Sequence, residues 1–220
     1  MLPLLDKIDN FEVVRDKIAQ ILADESARQV ILAVPPHDPE DYRLNVYVER
    51  ACPWETWLSP ERVGIDTAPI INVFYESCTF DASASSTFTS QTAQGVFNID
   101  CYGLGLSYET SAGHMPGDEA AARESHRAVR LVRNILMAAE NNYLGLRGIV
   151  GRRWPLSHTS FLPQKDVSPM QRVVVTRFVL GVNFLETAPQ YEGVDAELLH
   201  IDLKRAEDGR VLAALEYAIT

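Results

Sequence analysis

Cysteine is scarce in this chain, and its spacing excludes the commonest covalent and metal-based frameworks. The 220 residues include three cysteines, Cys52, Cys78 and Cys101, with no Cys-x-x-Cys pair. An odd number of thiols cannot pair completely into disulfides, and a zinc knuckle needs closely spaced thiols. We therefore expect reduced thiols, with no disulfide framework and no zinc site.

Basic charge is also in deficit. The chain has 20 Lys and Arg against 30 Asp and Glu, which gives a formal net charge of −10 and a pI near 5.0. Proteins that grip nucleic acid neutralise its phosphates with a surplus of clustered cations. The deficit argues against specific nucleic-acid binding.

Long apolar runs are missing. No segment approaches the ~18 uninterrupted apolar residues that a membrane helix needs, and residues 1–7 lack the basic start of a signal peptide. We expect no membrane partner and synthesis in a cytoplasm.

Motifs of catalysis and of metal binding are missing as well. The histidines have no His-x-x-x-His spacing, and they are scattered over His37, His114, His126, His158 and His200. Ser125 and His126 are adjacent on a predicted helix, so they point in different directions. Gly103 and Gly105 lack the third glycine of a dinucleotide loop. We predict no catalytic, cofactor-binding or metal-binding residues.

An enzyme assembled from residues distant in sequence is the alternative that this pattern leaves open. Such a site would need, for example, His37 or His126 to meet Asp100 and Ser107 across the fold. A protein-binding module that uses Trp54 and Trp57, or the segment around residue 154, is another alternative.

Hydrophobic periodicity predicts two long helices. Apolar residues recur at three- and four-residue steps over about residues 4–24. They do so again from about residue 118 to residues 141–143, where Asp118 and Glu119 favour the positive N-terminal end of the helix.

Runs of β-branched and aromatic residues predict the strands. We place them at residues 30–34, 43–49, 68–76, 95–103, 171–186, 198–204 and 211–217. The first two and the last two are expected to form hairpins, the last around Asp208-Gly209. In the strand 171–186, the side chains of Phe178, Leu180, Val182 and Phe184 alternate onto one face.

The order of these elements predicts an α+β fold. We expect a single domain over residues 1–220, in which two main amphipathic helices pack on a mixed or antiparallel sheet and a β-meander ends the chain. Proline-rich or Ser/Thr-rich composition places long loops at about residues 50–65, 77–92 and 150–170. Residues 81–92 are expected to be a flexible arm that orders only against a neighbour.

Two basic clusters are the candidate interaction residues. Arg123, Arg127, Arg130 and Arg133 step by four, three and three, so they form one stripe along the second helix. The stripe is either a solvated helix face or a contact for carboxylates of a neighbouring subunit. The second cluster, Arg152, Arg153 and Trp154, is either an interface anchor or a buried Trp with solvated arginines.

Taken together, these elements resemble the tail terminator and tail-completion proteins of long-tailed bacteriophages. The matching stretches are the strands at 68–74 and 95–102, the helix at 119–136, and the strand at 177–186 followed by Gln190-Tyr-Glu-Gly193. The resemblance covers about residues 60–205.

That resemblance implies a structural virion protein and no catalysis. Such proteins form a ring, usually sixfold, at the head-proximal end of the tail, where it terminates the tube or sheath and joins it to the neck. The implied partners are further copies of this chain, the tail tube or sheath protein and the head–tail connector. The arginine stripe of one copy, facing carboxylates of the next, would supply head-to-tail contacts.

Overall fold

A computed structural model describes most of the chain, namely residues 8–58, 67–80, 90–111, 113–161, 171–187, 198–204 and 211–218. Residues 8–187 form one compact unit, and the hairpin near the C-terminus is described separately. The helices of the first unit are α1 (Asn10–Leu32), the short α2 (Glu55–Leu58) and α3 (Gly117–Met137), with 3-10 turns at Pro39–Tyr42 and Ala139–Asn141. Its strands are β1 (Asn45–Val48), β2 (Ile70–Phe80), β3 (Ser90–Leu106), β4 (Tyr108–Thr110), β5 (Gly113–Met115), β6 (Val150–Phe161) and β7 (Gln171–Thr187).

Five of these strands form a mixed sheet in the order β1-β2-β3-β7-β6. β1 runs parallel to β2, and the other neighbours are antiparallel. β4 and β5 form a small ribbon. In the separate unit, β8 (Leu198–Lys204) and β9 (Val211–Ala218) pair as the predicted hairpin. The α+β class is therefore confirmed.

The two long helices cover one face of the sheet. α1 packs on β1 and β2, and α3 packs on β3 and β7. Between them lies the main core, which includes the four predicted side chains of β7, Phe178, Leu180, Val182 and Phe184. Their burial confirms the alternation that the sequence predicted.

Two glycines of β3 allow α3 to approach the sheet closely. A Cβ at Gly103 or at Gly105 would come within 3.0 Å of the α3 backbone around Gly117, Ala121 and Ser125. These are glycines because the close approach of the helix leaves no room for a side chain. Sequence reasoning placed Gly103 and Gly105 at a strand end, which is where they lie.

The opposite face of the sheet has a smaller core. Trp57 and Tyr102 are buried there, with Trp54 packed against them. The Trp54 and Tyr102 ring centroids are 5.2 Å apart. The tryptophan segment, which sequence reasoning left as a candidate hot spot, thus packs against its own sheet in this structure.

The first predicted hairpin is wrong. Residues 30–32 belong to α1 instead. This helix begins after Asp9, whose amide donates to the Glu12 carboxylate at 3.3 Å, and it ends before Pro35-Pro36. A helix that has already formed extends through β-branched residues until a proline stops it. β1 consequently has no strand 30–34 to pair with and joins β2 instead.

The predicted loops also need correction. Residues 150–161 form β6, an edge strand that tolerates Pro155 through an irregularity between Pro155 and Ser157. Residues 90–92, assigned to the flexible arm, belong to β3, and residues 55–58 form α2. The remainder of that arm, residues 81–89, lies outside the described residues, as do residues 59–66 and 162–170.

Candidate subunit interface

The arginine stripe of α3 divides into two pairs with different surroundings. Arg123 bonds to Glu119 one turn earlier, with Nη2 2.6 Å from Oε1. Arg127 pairs with Glu124 of the same helix and also donates to the Asp41 carbonyl oxygen. These two arginines therefore have partners inside their own chain.

Arg127 is the most enclosed member of the stripe. Its side chain is 28% exposed, against 68% for Arg123. Burial alone would lower the pKa of Arg127, but the hydrogen bond and the charge of Glu124 outweigh it, and the pKa is raised. Because it ties α3 to the 3-10 turn at Pro39–Tyr42, we assign Arg127 to the fold rather than to an interface.

Arg130 and Arg133 differ from the other pair. Both are exposed, and neither forms an ion pair within the part of the chain that the structure describes. They line one wall of a groove of about 310 Å³ between α3 and the strands β6 and β7. The remaining lining residues are His126, Val129, His158, Ser160, Thr176 and Phe178. None of these residues is acidic, so we name this surface the cationic groove.

A chain of hydrogen bonds runs from the core to the cationic groove and ends at His126. Ser125 Oγ lies 2.9 Å from the Cys101 carbonyl oxygen and 2.7 Å from Thr176 Oγ1. Thr176 Oγ1 lies 2.9 Å from Ser160 Oγ, which in turn lies 3.2 Å from His126 Nε2. The chain links three strands and a helix, because Thr176 is opposite both Cys101 and Ser160 in the sheet register.

The donors in this chain depend on the single proton of Ser125. Each hydroxyl has one proton and a carbonyl oxygen only accepts. When Ser125 donates to the Cys101 carbonyl oxygen, Thr176 donates to Ser125, Ser160 donates to Thr176, and His126 Nε2 donates to Ser160. When Ser125 donates to Thr176 Oγ1, the order reverses and Ser160 donates to His126 Nε2, so the tautomer of His126 follows the order of the chain.

Two of the residues named for the enzyme alternative, Asp100 and His126, lie apart. Asp100 lies on the sheet face opposite His126 and is held by Arg177, with Nε 2.6 Å from Oδ1 and Nη2 2.9 Å from Oδ2. Burial raises the pKa of the Cys101 thiol, and the Asp100 charge raises it further, so this thiol stays protonated. Asp100 and His126, two of the residues named for the enzyme alternative, therefore do not meet, and the Cys101 thiol is buried as well.

The second basic cluster also divides. Arg153 is buried and donates from Nε to the Asn141 carbonyl oxygen at 2.7 Å and from Nη2 to that of Ala138 at 2.6 Å. Burial lowers the pKa of Arg153. These carbonyls follow the end of α3, so Arg153 stabilises the connection between α3 and β6 and is not available to a partner.

Arg152 and Trp154 lie beside it on the sheet face opposite the helices. The Arg152 guanidinium is 4.8 Å from the centroid of the Trp154 ring. The Trp154 ring covers Gly181, where a Cβ would come within 3.0 Å of it. Trp154 is half-buried on this glycine, and exposed Arg152 is the member of the cluster that solvent reaches.

Sequence reasoning missed half of the cationic groove. It identified Arg130 and Arg133 but not His158, Ser160 or Thr176 as their neighbours. His158 and Ser160 lie in a segment predicted to be a loop. The side of the sheet to which their side chains point could therefore not be predicted from the alternation of a strand. Thr176 interrupts the apolar alternation of β7, which was the one available signal of a polar contact there.

Neither a metal cluster nor a membrane helix is found in the described part of the chain. Among residues 8–58, 67–80, 90–111, 113–161, 171–187, 198–204 and 211–218, no group of three His, Cys, Asp or Glu side chains could hold a metal ion. No helix among them is both long and apolar enough to cross a bilayer.

Comparison with known proteins adds no relative. No family model matches the chain, and no curated protein matches it. The case for a function therefore depends on the geometry of the surfaces described above.

Proposed function

We propose that this chain is a structural virion protein that assembles into a ring at the head-proximal end of a phage tail. There it terminates the tube or sheath and joins the tail to the neck, after assembly in the cytoplasm of the host. Its partners are further copies of itself, most simply six in a ring, the tail tube or sheath protein and the head–tail connector proteins.

The cationic groove is the observation that carries this proposal. A chain with a net charge of −10 repels its own copies unless basic residues face acidic ones across the contact. Arg130 and Arg133 have no carboxylate partner among the described residues, whereas Arg123 and Arg127 have partners. An exposed pair contributes only about 0–1 kcal/mol to a folded monomer, but a closed ring repeats the same contact at every interface.

The fold and the charge of the chain are compatible with this role. Two helices on one face of a mixed sheet are what the resemblance to tail terminators implies. An acidic surface around a channel lets DNA pass without retaining it, because like charges repel. Acidity is common in proteins, so the charge supports the proposal less than the groove does.

Oligomeric mass tests the proposal directly. We expect native mass spectrometry and sedimentation velocity to show one closed oligomer of the purified chain or of the chain mixed with tail tube protein, and negative-stain microscopy to show rings. Arg130→Gln with Arg133→Gln should abolish the ring and leave the thermal midpoint nearly unchanged, because both side chains are exposed.

Arg147→Glu is the matched control. Arg147 is exposed in the loop after α3, and its replacement changes the net charge by the same two units as the double variant. It should leave the ring intact. A chain that stays monomeric with and without tail proteins would overturn the proposal and favour a protein-binding module, whereas turnover of generic esters, phosphodiesters or peptides would favour an enzyme.

A further inference from the structure

The 3-10 turn at Pro39–Tyr42 lies on the other side of α3 from the cationic groove. Ser26 of α1 donates its hydroxyl to the Tyr42 carbonyl oxygen at 2.8 Å and accepts from the Leu44 amide at 3.0 Å. The turn is therefore held against α1, which packs on β1 and β2. The groove, in contrast, is bounded by β6. β1 and β6 are the two opposite edges of the sheet.

This turn is acidic and exposed. Asp38, Glu40 and Asp41 follow one another within four positions, and all three are exposed. Asp41 is near Arg127. Within the part of the chain that the structure describes, Asp38 accepts the Glu40 amide of its own turn, and Glu40 pairs with Arg43 at 3.1 Å. We name Asp38–Asp41 the acidic turn.

Exposed apolar side chains lie beside the acidic turn. Ile31, Leu32 and Val34, at the end of α1, are 82%, 55% and 67% exposed, and the His37 amide just before the turn donates to the Val34 carbonyl oxygen at 3.1 Å. Apolar and acidic groups that project together from one edge are typical of a surface that is covered in an assembly.

We propose that the acidic turn of one copy of this chain binds in the cationic groove of the next copy, with carboxylates on Arg130 and Arg133. This inference rests on the proposed self-assembly and identifies the two surfaces that meet. The groove volume of about 310 Å³ corresponds to roughly ten water molecules at ~30 Å³ each, which is room for the carboxylate ends of two side chains.

The position of the two surfaces determines the symmetry of the contact. They lie on opposite sides of α3, so a pair of copies joined through one such contact retains one free groove and one free acidic turn. Such a head-to-tail contact repeats until the rotation closes a ring, or it continues as a filament.

Charge exchange tests the pairing. The groove variant carries Arg130→Glu and Arg133→Glu. The turn variant carries Asp38→Asn and Glu40→Lys, where the asparagine oxygen can still accept the Glu40 backbone amide that caps the turn. We expect each variant alone to be monomeric, and an equimolar mixture to give an oligomer in which the two variants alternate, because each turn in it is complementary to the groove of the other variant.

A fourth sample combines all four substitutions in one chain. Its groove is acidic and its turn is no longer acidic, with a lysine in place of Glu40, so we expect it to regain the oligomer of the unmodified chain. Thermal midpoints within a few degrees of the unmodified chain, measured on all samples, show that the loss of assembly is not a loss of folding.

The outcomes separate this inference from the proposed function. If the unmodified chain forms rings and both variants do as well, the pairing is wrong and the ring function stands. If the exchange behaves as expected but the oligomer is an open filament or a short chain, the pairing stands and the tail-ring function is overturned. If the combined variant stays monomeric while correctly folded, or if mixing yields no oligomer that contains both variants, the pairing is overturned.

Discussion

Adjacent side chains of one strand have opposite roles in this protein, which is visible only at the scale of single residues. Arg153 of β6 donates to two carbonyl oxygens beyond α3 and is buried, whereas Arg152 projects over the Trp154 ring and is exposed. Arg-Arg-Trp in a sequence does not reveal this difference, because strand neighbours point to opposite faces.

Replacing Arg153 should therefore destabilise the fold far more than replacing Arg152. We expect Arg153→Met to cost about 1–3 kcal/mol in the free energy of unfolding, because two half-buried carbonyl oxygens lose their donors. Arg152→Met removes a cation–π contact worth about 0.5–1 kcal/mol at an exposed site. Urea denaturation of both variants measures the difference, and equal losses would contradict the role of Arg153.

At the scale of elements, the contact that positions the cationic groove is that of α3 on β3. The helix lies directly on the glycines Gly103 and Gly105, so its distance from the sheet is set by backbone rather than by side chains. The groove forms because the same helix covers β7 but stops short of β6.

Adding a methyl group under the helix should displace it. We expect Gly103→Ala to lower the free energy of unfolding by about 1–3 kcal/mol, the usual cost of overpacking, and to weaken self-assembly as well. Gly151→Ala is the control, since a Cβ there would meet only the Asn183 carbonyl oxygen at 3.7 Å. A Gly103→Ala protein as stable as the control would show that α3 lies farther from β3 than described.

At the scale of the whole molecule, the dominant property is the net charge of −10. It disfavours contacts between copies unless basic residues of one copy meet carboxylates of the next, and it opposes the approach of DNA. Two arginines in one groove are too few to reverse that repulsion for a polyanion, but they suffice for a local acidic turn.

Assembly of the ring should accordingly weaken as salt is raised. Between about 0.1 M and 1 M salt, the Debye length falls from roughly 10 Å to 3 Å, so the attraction of exposed charges is screened. We expect the dissociation constant from sedimentation velocity to rise at least tenfold, while the thermal midpoint of the monomeric groove variant changes little. An oligomer that tightens with salt would instead indicate that Ile31, Leu32 and Val34 dominate the contact.

Local pattern alone determined the class and much of the sheet. The period-two alternation of β7 located its buried face, Phe178 to Phe184. The period of α3 predicted an apolar face, on which Val132 and Leu136 are buried. Such predictions succeed because both periods follow from backbone geometry, which each residue obeys whatever its distant neighbours are.

Only the tertiary structure decided the extent of α1, the pairing of β1 and the identity of the groove. Val30 to Leu32 have strand propensity, but a helix begun at Asn10 continues through them, because extending a helix costs less than starting a strand. The sequence predicts a loop in place of β6, because Pro155 and the irregular register of this strand obscure the alternation of its side chains. The division of the arginine stripe, with Arg127 held by its own chain and Arg130 left exposed, depends on where a distant turn and an edge strand pack against α3. Those contacts join residues far apart in the chain, and no local pattern in the sequence specifies them.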